Sequence, residues 1–235
     1  MHAPLRSGPT SRRVQVWDLP LRQFHWGLVA CVLAACVSAK LDGETALRVH
    51  FLAGYGALAL VLFRLGWGFC GTQHALFASF VQRPAVIFEY LRNSSGKRYP
   101  GFPGHNPLGG LSVLALLAVS ATMAISGLFT NDEIASEGPL AQFVSEQTVH
   151  RFSNLHAWCE IALYVMVALH VCAVAVYWFV KKQDLVGPMI TGTKRTSDDE
   201  PAIGTNDEAL SVNARGFILF AICAALVAFI ASLAS

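Results

Sequence analysis

Five stretches of this chain stay apolar for long enough to cross a lipid bilayer, which takes roughly 20 residues of α-helix: about 22–39, 50–70, 108–129, 153–180 and 215–234. Between the second and third, residues 71–107 hold Gly71, Pro84, Gly96, Pro100, Gly101, Pro103, Gly104 and Pro107, breakers that mark a long connection. Inside it, the stretch 75–91 sets Phe77, Phe80, Val81, Ile87, Phe88 and Leu91 among polar residues, the pattern of a short interfacial helix. From 187 to 213 the chain turns polar and acidic, with Ser-Asp-Asp-Glu-Pro at 197–201, and a flexible cytoplasmic linker is expected. The organisation predicted is a four-helix membrane domain over 1–186, a linker over 187–213 and a fifth transmembrane helix over 214–235. That last helix carries no ionisable residue between 217 and 233, so it is expected to be peripheral or to dock a partner.

Composition fixes the class. With 54% hydrophobic and 14% charged residues among 235, the chain is too apolar for an ordinary soluble domain, and an all-α membrane protein is expected. The net charge of +2 says less than its placement. Arg6, Arg12, Arg13 and Arg22 precede the first span; Arg83, Arg92, Lys97 and Arg98 lie between the second and third; Lys181, Lys182, Lys194 and Arg195 follow the fourth. Basic segments stay on the cytoplasmic side. The loop after the first span has only Lys40 and Arg48, and residues 130–151 carry Asp132, Glu133, Glu137 and Glu146, so an inside amino terminus and an outside carboxyl terminus follow. The six cysteines all fall in apolar stretches, without the spacings of zinc, redox or covalent haem sites. No nucleotide fingerprint, nucleophile elbow, zinc-protease motif or nucleic-acid module is present.

Four of the eight histidines, His25, His50, His156 and His170, sit in or at the ends of predicted spans. Ionisable groups in a membrane are costly and face a bundle interior, a cavity or a cofactor. His156 and His170 are fourteen residues apart, a rise of about 21 Å and a rotation about 40° short of four turns, so one helix face carries both. That distance rules out a shared metal ion, whose ligands bind at about 2 Å. Alternating topology sets His25 level with His170, on the cytoplasmic side, and His50 level with His156, on the external side. Each pair brings two imidazoles from different helices to one depth, as a bis-histidine haem b requires, with no coordination position open to oxygen. Arg64 follows His50 by the same fourteen residues, which suits a haem propionate or snorkelling to the surface. Gly54, one turn from His50, admits either a porphyrin or a neighbouring helix. His150, six residues before His156, is a rival for the outer site, although the spacing favours His156. His74 and His105 flank the connection, where solvated roles compete with contact to a haem edge or quinone; His2 belongs to a tail.

Several runs together carry a resemblance: Val-Trp-Asp-Leu-Pro at 16–20 leading to Phe24-His25-Trp26, His50 with Gly54-Tyr55, Arg-Leu-Gly-Trp-Gly-Phe at 64–69, Gly-His-Asn-Pro-Leu-Gly-Gly at 104–110, and Met-Ile-Thr-Gly-Thr-Lys at 189–194. Over residues 14–195 the chain resembles the prokaryotic cytochrome b561 family, which includes the b-type cytochrome subunits of nickel-iron hydrogenases. The resemblance implies a bacterial cytoplasmic-membrane four-helix bundle with two b haems, their ligands falling on His25, His50, His156 and His170. It also implies electron exchange between a quinone pool and a redox protein such as a hydrogenase, another dehydrogenase or a c-type cytochrome. A homo-oligomer is compatible with the same reading. The linker and fifth helix depart from the simplest four-span members and leave the partner open.

Two other functions compete: a stand-alone oxidoreductase exchanging electrons with a small reactant such as superoxide, and a haem-free transporter or scaffold. The second lacks the carboxylates of a proton path, Glu160 being the one candidate within a span. At the start of the chain, Ser11-Arg12-Arg13 and an apolar run ending Val37-Ser38-Ala39 mimic a cleaved signal, but the run is long and a bulky Trp-containing stretch precedes it. An uncleaved amino terminus is expected, checked by the intact mass of the purified chain; loss of residues 1–39 contradicts the topology.

Overall fold

The computed structural model describes residues 12–93, 104–131, 137–196 and 206–233. His2, Arg6, Lys97, Arg98, Asp132, Glu133 and the acidic run 198–200 lie outside the described residues. Among the described residues eight α-helices follow in order: α1 Leu19–Ser38, α2 Glu44–Cys70, α3 Phe77–Phe80, α4 Pro84–Asn93, α5 Pro107–Gly127, α6 Glu146–Phe179, α7 Val186–Thr191 and α8 Asn206–Ala231. Five of them, α1, α2, α5, α6 and α8, are long and apolar enough to cross a membrane. Large apolar side chains stand outward along them, among them Leu33 on α1, Leu169 on α6 and Phe229 on α8, which is how a lipid-facing surface differs from a water-facing one.

Local chemistry sets the helix ends. Asp18 caps α1, its Oδ1 accepting from Leu21 N at 2.7 Å, with Pro20 in the first turn where a missing N–H costs nothing. Asn106 caps α5 in the same way, accepting from Gly109 N at 2.8 Å ahead of Pro107. Ser145 caps α6. The helices outrun the apolar spans that the sequence outlines. Glu44 and Arg48, paired at 2.5 Å one turn apart, carry the amino end of α2 beyond the apolar stretch, and α6 extends to 34 residues, roughly 51 Å against a hydrocarbon thickness of about 30 Å. His50 and His156 therefore lie inside helices instead of at their ends. Pro84 divides the expected interfacial helix into α3 and α4.

Helix α2 is the hub: 39% of its most apolar window is buried, against 11–17% for the other spanning helices. Close approach to its neighbours runs through small residues, as lipid provides no hydrophobic drive between helices. A Cβ added at Gly56 lies 2.9 Å from Cys31 Sγ of α1, and one at Gly27 of α1 lies 3.2 Å from Leu60 Cδ1. Helix α8 also packs on α2, with Leu219 3.1 Å from a Cβ added at Gly66 and Phe220 edge-on to Phe63. Further along, Val227 is buried with Leu58, Ala59 and Leu128. The fifth helix is thus an integral wall of the bundle, and its docked face is made of the same plain residues that hide it in the sequence pattern.

The segment expected as a flexible linker is structured at its start. Strand β1 (Arg12–Gln15) pairs antiparallel with β2 (Thr193–Thr196), while Val16 N and Trp17 N donate to Gly192 O, Gly192 adopting φ 83° at the end of α7. Arg22 Nη1 donates to Ile190 O and Trp26 Nε1 to Met189 O. The chain before α1 and the chain after α6 are therefore tied across one end of the bundle. At the opposite end Gln142 Nε2 donates to Leu233 O at 2.6 Å, placing the last turn of α8 beside the loop that precedes α6.

Gly216 of α8 lies against α1, where an added Cβ meets Pro20 Cγ at 2.5 Å. Because that ring cannot rotate away, Gly216→Leu is expected to cost about 1–3 kcal/mol, seen as a lower unfolding temperature in detergent, whereas the outward Ile222→Leu on α8 leaves it unchanged.

Candidate functional site

The four intramembrane histidines come together as two facing pairs. His25 on α1 and His170 on α6 have ring centroids 6.5 Å apart; His50 on α2 and His156 on α6 have theirs 6.4 Å apart. Helix α6 packs along α5 and has at most sparse backbone contact with α1 and α2, so the imidazoles reach across a gap without touching. An imidazole nitrogen binds a transition metal at about 2 Å, and the ring centroid lies about 1.2 Å behind it, so two imidazoles on opposite sides of one ion have centroids about 6.4 Å apart. Both pairs match that separation. Among the described residues no group of three or more His, Cys, Asp and Glu could hold an ion; an ion between either pair must bring its equatorial ligands with it, as a porphyrin does.

The His50–His156 pair has a defined proton arrangement. His50 Nδ1 lies 3.0 Å from Ala35 O of α1, and His156 Nδ1 lies 3.0 Å from Met123 O of α5. A carbonyl only accepts, so each neutral ring carries its proton on Nδ1 and leaves the Nε2 lone pair for a metal. Ser126, fully buried, donates to the same Met123 carbonyl and lies 3.2 Å from His156 Nδ1. Gly127 brings α5 against the ring, as a Cβ there stands 3.1 Å from His156 Cε1. Gly54, one turn along α2 from His50, has nothing within 4 Å of an added Cβ, so this side of the pair has room for a flat ligand. His150 is exposed, with Nδ1 3.2 Å from Asn154 Nδ2, and it is His156 that stands opposite His50.

At the other level His25 Nδ1 is buried and has no hydrogen-bond partner among the described residues. Below it lies a polar cluster that spacing alone does not reveal. Arg64 of α2 is 1% exposed. Asp18, besides capping α1, accepts at Oδ2 from Trp67 Nε1 at 3.1 Å and Thr72 Oγ1 at 2.5 Å, which fastens α1 to the end of α2. His105 stands between Trp17 and Phe80, ring centroids 4.7 and 4.8 Å away. Burial, then the nearby Arg64 and His74, push its pKa down to about 4, so it is neutral at ordinary pH. The sequence hints at these roles only through Asp-Leu-Pro as a capping signal and Asn-Pro after His105.

Glu160, the one intramembrane carboxylate candidate, is engaged elsewhere. Its Oε1 accepts from Lys40 Nζ and from Tyr164 Oη, both at 2.7 Å, tying α6 to the end of α1 at the level of His50 and His156. Tyr177 near the other end of α6 accepts from Asn106 Nδ2 at 2.7 Å and lies 3.0 Å from Tyr90 Oη, anchoring α4.

The model of the prokaryotic cytochrome b561 family matches residues 16–192, most of the chain. Among curated relatives, the probable Ni/Fe-hydrogenase B-type cytochrome subunit of Azotobacter chroococcum mcd 1 is 28% identical across 80% of this chain and 91% of its own length. Its namesake from Azotobacter vinelandii is 27% identical over the same shares, and that from Rhodobacter capsulatus 24% identical across 79% of this chain and 83% of its own. No solved structure matches.

The Lys40 and Glu160 side chains are 62% and 32% exposed, so Glu160→Gln is expected to cost under about 1 kcal/mol. Thermal unfolding in detergent at low and high salt checks this, with the difference between the two proteins shrinking as salt rises.

Proposed function

The chain belongs to the prokaryotic cytochrome b561 family, and on that premise we propose that it is an integral-membrane electron carrier with two haem b groups, one between His25 and His170, the other between His50 and His156. The haem iron supplies one-electron exchange. The chain's residues decide how that chemistry is used. His25 with His170, and His50 with His156, would hold the two groups, and a haem held by two imidazoles would exchange electrons without binding oxygen. Hydrogen bonds from Nδ1 of His50 and His156 to backbone carbonyls fix ring orientation and make Nε2 a better donor. Gly54 keeps the face beside His50 open, and Arg64 provides positive charge for a propionate at the other level.

One observation carries this reading: two imidazole pairs, each at the separation of a metal bridged on opposite sides, spaced by fourteen residues of one helix. Sites about 21 Å apart along α6 divide the crossing of a bilayer into shorter steps. The basic residues flanking the spans support an orientation with His25 and His170 toward the cytoplasm of a bacterial cell, the amino terminus inside and the carboxyl terminus outside. The relatives' names point to a hydrogenase as redox partner, in place of the c-type cytochrome or small reactant that the sequence alone leaves open. Quinone or quinol is proposed as the partner within the membrane.

Purified protein is expected to carry about two haems per chain with b-type bands on reduction. His25→Leu or His170→Leu is expected to remove one haem, and His50→Leu or His156→Leu the other, while His150→Leu keeps both. Haem-to-protein ratios and resolved potentiometric titrations check this. Gly54→Phe is expected to lower haem content while leaving helicity by circular dichroism intact; full loading in that variant contradicts the placement.

A further inference from the structure

An unpaired guanidinium lies in the interior. Neither Nη of Arg64 has a hydrogen-bond partner among the described residues, and its nearest aromatic companions are the ring of Phe77 at 4.8 Å and that of Phe80 at 5.7 Å. Contacts of that kind offset only part of the desolvation cost of a buried ion. Asp18 is the nearby carboxylate, but both its oxygens are committed to the α1 cap, Trp67 and Thr72. A second unsatisfied atom faces the same surroundings: His105 Nδ1 is enclosed and unpartnered, and its ring packs on the Phe80 that also borders Arg64. A fixed cation and an imidazole, both lacking acceptors, call for an anion with two oxygens.

We propose that Arg64 and His105 form a buried clamp for a carboxylate at the end of the bundle that carries His25 and His170, the guanidinium donating to the carboxylate through its Nη groups and His105 through Nδ1–H. The occupant's identity rests on the cytochrome reading above. His50 and His156 share one level, and fourteen residues further along their helices come Arg64 and His170, so Arg64 lies at the depth of His170, about 21 Å from the other pair. A propionate of the haem held there supplies the carboxylate. A diffusible carboxylate has the same chemistry, and the two are separable by isotope. With His105 neutral, the single charge of Arg64 is matched by one carboxylate.

The test uses the full chain in lipid bilayers, carrying haem labelled with carbon-13 at the propionate carboxyls, and reads haem content, the two midpoint potentials and redox-difference infrared spectra. In Arg64→Gln the potential of one haem is expected to fall and the other to stay, because a positive charge that favours the reduced state is gone; Arg64→Lys restores most of the shift. His105→Phe is expected to move the isotope-sensitive carboxylate band, and His105→Asn, which keeps a donor, to move it less. Movement of a carboxylate band insensitive to the label assigns the clamp to a diffusible carboxylate. If Arg64→Lys, His105→Asn and His105→Phe all fold with two haems and neither potentials nor any carboxylate band moves in them or in Arg64→Gln, the clamp is overturned while the electron-carrier reading stands. A wild-type chain that takes up no haem overturns both.

Discussion

A polar atom in hydrocarbon has to find a partner or be left at a cost of several kcal/mol, and this constraint organises the molecule. Several polar groups in the spans are paired with backbone: Ser38 with Ala34 O, Thr122 with Ala118 O, His50 with Ala35 O and His156 with Met123 O. Against that background the buried, unpaired side-chain atoms among the described residues are few: Arg22 Nε, His25 Nδ1, both Nη atoms of Arg64 and His105 Nδ1. The two histidine levels are thus chemically unlike. One is held rigidly by carbonyls from α1 and α5, and the other opens toward a cluster with hydrogen-bonding capacity to give.

This asymmetry suits two sites in series. On the proposed reading, firm ring orientation in His50 and His156 would keep the surroundings of a group held there constant between oxidation states, whereas a cation near His25 and His170 would favour the reduced form at that level. The same cluster joins the bundle to its covering segments, since Asp18 holds Trp67 and Thr72 and the aromatic rings of Phe77 and Phe80 close over Arg64. The surroundings of Arg64 and the packing of this end of the bundle therefore share residues.

The sequence makes the histidine pairs legible because helical rise is regular: a fourteen-residue step on one helix and alternating topology are enough to set four imidazoles at two depths. The number and order of spans follow from hydropathy for the same reason. What escapes that logic depends on chain segments folding back. His105 acquires Trp17 and Phe80 as neighbours only when stretches apart in the sequence meet, and the strand pairing of 12–15 with 193–196 joins stretches that are polar, short and far apart in the chain. The docking of α8 on α2 is invisible for another reason: Leu219, Phe220 and Val227 differ in no way from the lipid-facing residues beside them.

Helix α6 contributes one imidazole to each pair, and the strand that closes the far end pairs with residues emerging after it. During synthesis, then, the first three spans, which end at Gly127, are complete with just over half of the 235-residue chain made and neither pair in existence. Both pairs wait on α6, which packs along α5. The order of biogenesis is written into the topology: neither histidine pair can form before α6 is in place.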